Sequence, residues 1–357
     1  MERGSLDGER GVPQFLPGVV YQAAPHREAD LEAELEELPQ GDDSLRNFAF
    51  GETPGGNLGL SCGSGGLVYR ANPPAGPVFW WRNLWKAPFV FSFSSIKRAA
   101  GVLRSMQRNW VCVPQGFYGR ARLIQEALPY IAQKRRPLGY VLPDAPVGSW
   151  TLVGERTILA SACCASPFPG GVIEFEEDKH GPPSRAYLKL AEAFIRLGVR
   201  PAAGETCLDA GASPGGWTWM AMRDFCSDSG SSAGFPAGQT ACRPRVIAVD
   251  RSPLAPVVAA IPGVTFLRHD AFTLRPENVG MIDWLFCDAA CYPARLYMWI
   301  EKWLESGLCK NFICTIKMQG SGDMETVRRF AAIPGGAVVH LYHGKHELTW
   351  MMRSVIQ

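Results

Sequence analysis

The chain has 357 residues, of which 46% are hydrophobic and 20% charged, and its formal net charge is +2. This length allows two domains with a sizeable core, and the composition is typical of a globular protein rather than a disordered one. No apolar stretch approaches the length of a membrane span, and the first ten residues lack the basic-then-apolar order of a secretory signal. We therefore expect a soluble, cytoplasmic protein without a membrane partner.

The eleven cysteines are odd in number and scattered through apparent core segments. None of them forms a C-x-x-C pair with zinc spacing, so we interpret them as reduced thiols. Cys287 and Cys291 could be considered for a metal site, but no His or Cys partner stands at ligand spacing. The sequence therefore predicts no metal.

Residues 1–50 contain eleven acids and four arginines. We expect this segment to be an acidic, flexible leader. Within it, residues 29–38 are predicted to form a short amphipathic helix, because Leu31, Leu35 and Leu38 recur among the acids. The leader could fold back over a basic groove, but a solvated tail is the expected state.

Residues 51–165 are the basic and aromatic part of the chain, with twelve cations and one acid between residues 70 and 140. Cations neutralise phosphates and flat rings stack on unpaired bases, so we predict an α+β RNA-binding domain here. The alternative is that the rings form the domain core and only the cations face solvent. Helices are predicted over 94–107 and 123–133, the second interrupted at Pro129, and strands between 149 and 162. The interleaved rings are Trp80, Trp81, Trp85, Phe89, Phe91, Phe93, Trp110, Phe117 and Tyr118.

Residues 166–357 begin with a Pro-rich connector and continue as alternating strands and helices, which predicts an α/β domain. The last two strands flank a Gly-containing turn and should form an antiparallel hairpin. We expect a Rossmann-like, seven-stranded, mostly parallel sheet closed by that hairpin. Residues 227–239, rich in Ser, Gly and Ala, are predicted to be a mobile surface insertion. The seven strands are predicted at 205–209, 245–250, 264–268, 282–288, 310–317, 337–342 and 347–353.

Residues 209–217 read Asp-Ala-Gly-Ala-Ser-Pro-Gly-Gly-Trp and follow the first of these strands. The glycines let a ligand approach the backbone, and the next helix would present free N–H groups, so we predict a ligand-binding turn. It is not a dinucleotide fingerprint, because Ser213 stands where the second glycine of G-x-G-x-x-G would be. A Gly-rich turn without a ligand remains the alternative.

Two further acids close the second and third predicted strands. Asp250 is placed to accept hydrogen bonds from ribose hydroxyls, and Asp270 could receive an adenine amino group. Either acid alone could be an ordinary loop residue. Together with Asp209 they indicate a nucleoside site at the carboxyl edge of the sheet.

These features resemble the class I S-adenosylmethionine-dependent methyltransferases, and more narrowly the FtsJ-type RNA ribose 2′-O-methyltransferases. The resemblance rests on the 209–217 turn and on Lys189, Asp288, Lys317 and Glu347, which stand in the local settings of that family's Lys-Asp-Lys-Glu tetrad. It implies that these four residues are catalytic and that S-adenosylmethionine is the cofactor. The cofactor-binding residues that it implies are Ser184, Asp209, Gly211, Ser213, Pro214, Gly215, Gly216, Trp217, Asp250, Asp270 and Asp288.

Within that family the chain is similar to the bacterial enzymes that methylate a cytidine of large-subunit (23S) ribosomal RNA. The likeness covers about residues 160–357 and implies an RNA partner. Over the first 150 residues it is weak, and the related enzymes carry a THUMP-type RNA-binding domain there. The resemblance leaves the fold of that segment open.

The tetrad positions fall at strand ends or on the preceding helix, so they can converge on one edge of the sheet. A ribose 2′-hydroxyl is a poor nucleophile whose proton must be removed or whose oxygen must be held in line, and Lys317 is the candidate for that role. Two rival functions remain: a methyltransferase acting on a small molecule or a protein, and an RNA-binding protein with an inactive site. Each tetrad residue could also belong to an ordinary salt bridge.

Overall fold

The computed structural model describes residues 11–39, 66–132, 134–142, 144–223, 243–318 and 323–353. The chain divides into two compact units, the first formed by Met1–Lys134 and Pro143–Ile173 and the second by Arg135–Leu142 and Glu174–Gln357. Within the described ranges, no helix is both long and apolar enough to cross a bilayer. The predicted insertion at 227–239 lies outside the described residues.

The first unit contains a five-stranded sheet in the order β1-β5-β8-β7-β6 and a four-stranded sheet in the order β3-β2-β4-β9. An apolar cluster that includes Val20, Trp85 and Leu159 joins residues of both sheets. The strands are β1 (Gln14–Phe15), β2 (Val19–Ala23), β3 (Leu67–Arg70), β4 (Trp81–Lys86), β5 (Phe89–Ser92), β6 (Trp110–Cys112), β7 (Gly148–Gly154), β8 (Thr157–Ser161) and β9 (Cys163–Cys164). The helices are α1 (Glu28–Glu37), α2 (Ile96–Met106) and α3 (Tyr118–Glu126).

The expectation of a flexible acidic leader is wrong for the part of it that the structure describes. Strand β2 pairs with β3 on one side and β4 on the other, so it lies inside a sheet. Helix α1 is present, and its Glu34 is buried, accepting hydrogen bonds from the backbone N–H groups of Phe79 (2.9 Å) and Trp80 (3.2 Å). The number of acids in residues 1–50 suggested a solvated segment. Glu34 can nevertheless be buried, because it accepts hydrogen bonds from backbone donors about 45 residues away in the sequence.

The predicted helix over 94–107 corresponds to α2, whose first turn is capped by the Ser95 side chain accepting from the Arg98 N–H at 3.2 Å. The helix predicted over 123–133 is wrong in its bounds. It begins earlier, after Phe117 takes a left-handed conformation, and ends at Glu126. Pro129 lies beyond its last turn, because the residue before a proline is disfavoured in helical conformation.

The aromatic side chains of the first unit divide into core and surface groups. Of the nine rings interleaved with the cations, the structure buries six, namely Trp80, Trp85, Phe89, Phe91, Phe93 and Trp110. Phe117 and Tyr118 are exposed at 46% and 67%. Most rings therefore build the core, whereas Lys97, Arg104 and Arg108 are exposed to solvent.

The second unit contains a seven-stranded sheet in the order β12-β11-β10-β13-β14-β16-β15, in which β16 runs antiparallel to both of its neighbours and the remaining pairs are parallel. This confirms the Rossmann-like fold class. The strands are β10 (Thr206–Ala210), β11 (Arg245–Asp250), β12 (Val264–Arg268), β13 (Ile282–Cys287), β14 (Cys309–Lys317), β15 (Gly336–Val339) and β16 (Glu347–Arg353). The helices are α4 (Tyr187–Leu197), α5 (Gly216–Ala221), α6 (Pro256–Ala259), α7 (Pro276–Val279), α8 (Pro293–Ser306) and α9 (Met324–Ala331).

The segment 135–142 packs with the second unit although it precedes the last strands of the first in sequence. Arg136 donates its N–H to the carbonyl of Glu174, and its carbonyl accepts from the N–H of Glu176, both at 2.8 Å. Its guanidinium lies 4.7 Å from the ring centroid of Tyr140. The domain boundary predicted at residue 165 did not indicate that residues 135–142 would belong to the second unit.

Candidate active site

The turn between β10 and α5 is built so that the backbone approaches a neighbouring loop very closely. Gly211 has φ +78°, and a Cβ at this position would lie 2.5 Å from the Cβ of Ala289. A Cβ on Gly216 would lie equally close to the Ser184 hydroxyl, at 2.5 Å. Glycine is therefore required here by sterics, and at Gly211 also by backbone conformation.

The two acids that close β11 and β12 are held by backbone donors. Asp250 accepts from the N–H groups of Ser213 (3.0 Å) and Ser252 (2.8 Å), so it links its own loop to the glycine turn. Asp270 accepts from the Phe272 N–H at 3.0 Å and pairs with the Arg295 guanidinium at 3.2 Å. Both carboxylates are fixed at the carboxyl edge of the sheet, and each oxygen keeps capacity for a second donor.

These elements enclose a polar cleft of about 350 Å³. Its volume is of the size that holds a small ligand or cofactor. The residues that line it are Gly211, Ser213, Val249, Asp250, Arg251, His269, Asp270, Ala271, Phe272, Asp288, Ala289, Ala290, Arg295 and Lys317.

Several residues that the resemblance assigned to the cofactor are not among those lining this cleft in the described part of the chain. Trp217 is buried and donates its indole N–H to the Ala186 carbonyl at 2.9 Å, with its ring 5.8 Å from the Lys189 ammonium. Gly216 packs against Ser184. Pro214 and Gly215 connect the lining residue Ser213 to α5. Contact of these residues with a cofactor stays a prediction.

Asp209 is also not among the described residues that line the cleft. Its side chain is 1% exposed and accepts a 2.6 Å hydrogen bond from the Thr218 hydroxyl on α5. Burial raises the pKa of Asp209 to about 7, although the hydrogen bond from Thr218 opposes the shift. The structure therefore places this acid between strand and helix, beneath the turn.

The four tetrad candidates meet at the carboxyl edge of the sheet. The Lys189 ammonium lies 2.7 Å from both carboxylate oxygens of Asp288 and 3.0 Å from Glu347. The Lys317 ammonium lies 3.3 Å from Asp288, which therefore contacts both lysines. Lys317 and Glu347 are paired residues of adjacent strands β14 and β16.

The two lysines differ in how many of their ammonium N–H groups are left to donate to a ligand. Lys189 has a side chain that is 9% exposed, and its three N–H groups can all be used by the three carboxylate oxygens around it. Lys317 is 28% exposed and lines the cleft, and its contact to Asp288 is longer. Lys317 is thus the lysine with capacity left for a ligand in the cleft.

Sequence reasoning did not find every residue of this site. Arg295 lines the cleft, pairs with Asp270 and lies 4.7 Å from the ring centroid of Phe272. It stands on α8, where nothing in the local sequence indicated a site. Glu192 was also missed, although an acid flanked by Leu190, Ala191, Ala193 and Phe194 could have been noticed. Across the described residues, no group of three potential metal ligands occurs.

Known proteins are similar in sequence to the part of the chain that forms this site. A model of the FtsJ-like methyltransferase family matches residues 182–328. The chain is 36% identical over 196 residues to a protein of Halorhodospira halophila named ribosomal RNA large subunit methyltransferase M, covering 53% of this chain and 52% of that one. A protein of the same name from Methylococcus capsulatus is 26% identical over 275 residues, covering 72% and 67%. The chain spans about half the length of several of the curated relatives that it matches.

Solved structures give weaker matches. A putative ribosomal RNA methyltransferase from Plasmodium falciparum has a TM-score of 0.35 at 16% identity and covers 48% of this chain and 98% of that one. A putative hemolysin from Lactococcus lactis has a TM-score of 0.36 at 16% identity and covers 50% and 90%. The fold class therefore rests on the strand order and the family match. Residues 182–328 are thus similar to the FtsJ-like methyltransferases, and the sheet to which they contribute has a mostly parallel strand order.

Proposed function

We propose that this chain methylates a ribose 2′-hydroxyl of large-subunit ribosomal RNA with S-adenosylmethionine. The observation that carries the proposal is the convergence of Lys189, Asp288, Lys317 and Glu347 at the carboxyl edge of the sheet, where Asp288 and Lys317 line the cleft. The relatives named for ribosomal RNA methylation support the substrate class.

The cleft residues fit the proposed cofactor. Gly211 lines the cleft without a side chain that would obstruct a ligand, and Ala289 would lie only 2.5 Å from a Cβ at this position. Asp250 would hold ribose hydroxyls and Asp270, with the Phe272 backbone, would face the adenine. When bound, S-adenosylmethionine supplies an electrophilic methyl group on a positively charged sulfur.

The tetrad residues would then place and activate the acceptor. Lys317 contacts the 2′-hydroxyl and either removes its proton or steers its oxygen into line. Lys189 pairs with both carboxylates, Asp288 and Glu347, and would hold them in place beside the acceptor. Asp288, touching both lysines, fixes their separation and offsets their mutual repulsion.

We further propose that the first unit binds RNA chiefly through phosphates. Lys97 and Arg104 are seven residues apart on α2, which places them on one face, opposite the buried Ala99 and Val102. Because most rings of this unit are buried, base stacking would be limited to exposed positions such as Phe117 and Tyr118.

The decisive experiment compares wild type with Lys317→Ala in methyl transfer from labelled S-adenosylmethionine to large-subunit ribosomal RNA that lacks ribose methylation. We expect label in an alkali-resistant dinucleotide with wild type and its loss by at least about 100-fold in the variant, because the hydroxyl loses its base or steering group. Cofactor affinity should change little.

Lys310→Ala is the matched control. Lys310 also lies on β14 and also pairs with a carboxylate, Asp283 at 2.7 Å, but at the opposite end of the strand. It should retain activity. If wild type binds the cofactor but labels no RNA, the ribose-methylation proposal is wrong, and labelling of proteins or small molecules would identify the rival function.

A further inference from the structure

Glu192 is a buried acid that the tetrad does not include. It lies on α4, three residues and about one helical turn after Lys189, and its exposure is 0%. Its carboxylate pairs with Arg196 on the same helix, whose Nε and Nη2 atoms lie 2.9 Å and 2.8 Å from Oε1. A charged group at this depth persists only where donors surround it.

The remaining donors come from the loop before β16. The backbone N–H of Tyr342 donates to Oε1 of Glu192 at 3.0 Å, and the N–H of His343 donates to Oε2 at 3.2 Å. One carboxylate therefore holds two consecutive amides of a segment about 150 residues away in sequence. Hydrogen bonds to a charged acceptor are stronger than those between neutral groups.

The same loop contacts the strand that carries Lys317. The N–H of Met318, the residue after Lys317, donates to the carbonyl of His346 at 3.3 Å. The loop is further folded by a hydrogen bond from Gly344 to the Leu341 carbonyl at 3.0 Å, and the His343 ring stacks on Phe175 at a centroid distance of 5.2 Å. Glu347 follows directly and begins β16.

We infer that Glu192 is a positioning residue: it ties the 340–346 loop to α4 and thereby sets where the Glu347 carboxylate meets the Lys189 ammonium. Lys189 lies on α4 itself, and Glu347 is the residue that directly follows the loop, so both ends of that 3.0 Å contact depend on the tie. Loss of the tie leaves two part-buried amide donors without their acceptor and frees the start of β16 to shift. A shift of about 1 Å in a catalytic group can cost about 100-fold in rate.

This inference rests on the proposed function, because it explains how the tetrad is held for that reaction. Glu192→Gln is the test variant, since it keeps the size of the side chain but replaces one acceptor oxygen by an amide donor. We expect kcat for RNA methylation to fall roughly 10- to 100-fold while the Kd for S-adenosylmethionine stays within about twofold. Hydrogen exchange at the Tyr342 and His343 amides should accelerate.

Glu205→Gln is the matched control. Its carboxylate also accepts two hydrogen bonds, from the Ala202 N–H and the Trp284 indole, both at 2.8 Å, but it lies just before β10 at the amino edge of the sheet. This variant should lose thermal stability without a comparable loss of kcat. Glu192→Asp, whose shorter side chain cannot reach both amides, serves if the glutamine variant does not fold.

A double-mutant cycle with Glu347→Gln separates positioning from general destabilisation. If Glu192 acts through Glu347, removing Glu192 should cost little further once Glu347 is lost, whereas independent effects would multiply. Multiplying effects, or a Glu192 variant that behaves like the Glu205 control, would overturn the inference while the proposed function stands. An inactive wild type would instead refute the function, and unchanged amide exchange in the Glu192 variant would still refute the loop tie.

Discussion

At the scale of single residues, burial rather than a charge partner determines the pKa of Asp209. It is placed between β10 and α5 with the Thr218 hydroxyl as a hydrogen-bond donor, and burial raises its pKa to about 7. The same residue in the unfolded chain has a pKa near 3.8. A carboxyl group that holds its proton more tightly in the folded state stabilises the fold at low pH and loses that contribution as pH rises.

Asp209→Asn should therefore remove a pH-dependent part of the folding free energy. Relative to the variant, wild type is expected to lose stability between about pH 4 and pH 7 and to level off above, and a shift of about 3 pKa units corresponds to about 4 kcal/mol. Urea unfolding of both proteins across this range measures the difference. A difference that is constant with pH would contradict the assignment.

At the scale of elements, the β10–α5 turn depends on the absence of a side chain at Gly211. Gly211→Ala should lower S-adenosylmethionine affinity at least about tenfold, because the new Cβ would overlap Ala289 and displace the turn. Isothermal titration calorimetry gives the affinity. Gly307→Ala is the control, because Gly307 also has a positive φ (+65°), but among the described residues other than its two chain neighbours no atom lies within 4 Å of where its methyl group would stand.

The control variant isolates backbone strain from steric overlap. Gly307→Ala should cost about 1 kcal/mol of stability, the usual penalty for a left-handed alanine, and leave cofactor affinity unchanged. Equal loss of affinity in the two variants would mean that general destabilisation, not the close approach to Ala289, controls the cleft.

At the scale of the whole molecule, the two units carry different parts of the proposed task. Replacing Lys97, Arg104 and Arg108 of the first unit by alanine should weaken RNA binding and reduce the slope of log Kd against log salt by about one for each phosphate that is no longer neutralised. Filter binding across a salt series measures both effects. The cofactor affinity of the second unit should not change.

That experiment needs a control for the loss of three positive charges as such. Arg245, Lys310 and Arg353 lie at the amino edge of the parallel strands, opposite the cleft, so their joint replacement removes the same charge from another surface. An equal fall in the salt slope for both sets would show that RNA responds to net charge rather than to the α2 face.

The sequence by itself determined the local elements of the second unit. Its strands follow from apolar runs, as at Arg245–Asp250 and Val264–Arg268. The turn at residues 209–217 follows from its glycines and proline, which are typical of tight turns. Strand ends indicated the positions of Asp250 and Lys317, because parallel strands bring their carboxyl ends to one edge. These features are encoded within a few residues of chain.

Only the tertiary structure decided which residues meet across the chain. The contact between Lys189 and Glu347 spans 158 residues, and the tie between Glu192 and Tyr342 spans 150. The burial of Asp209, the folding of Val19–Ala23 into a sheet and the core role of most rings in the first unit likewise depend on what packs against them. Local periodicity specifies an element and its apolar face, but burial and pairing depend on which distant segment covers that face.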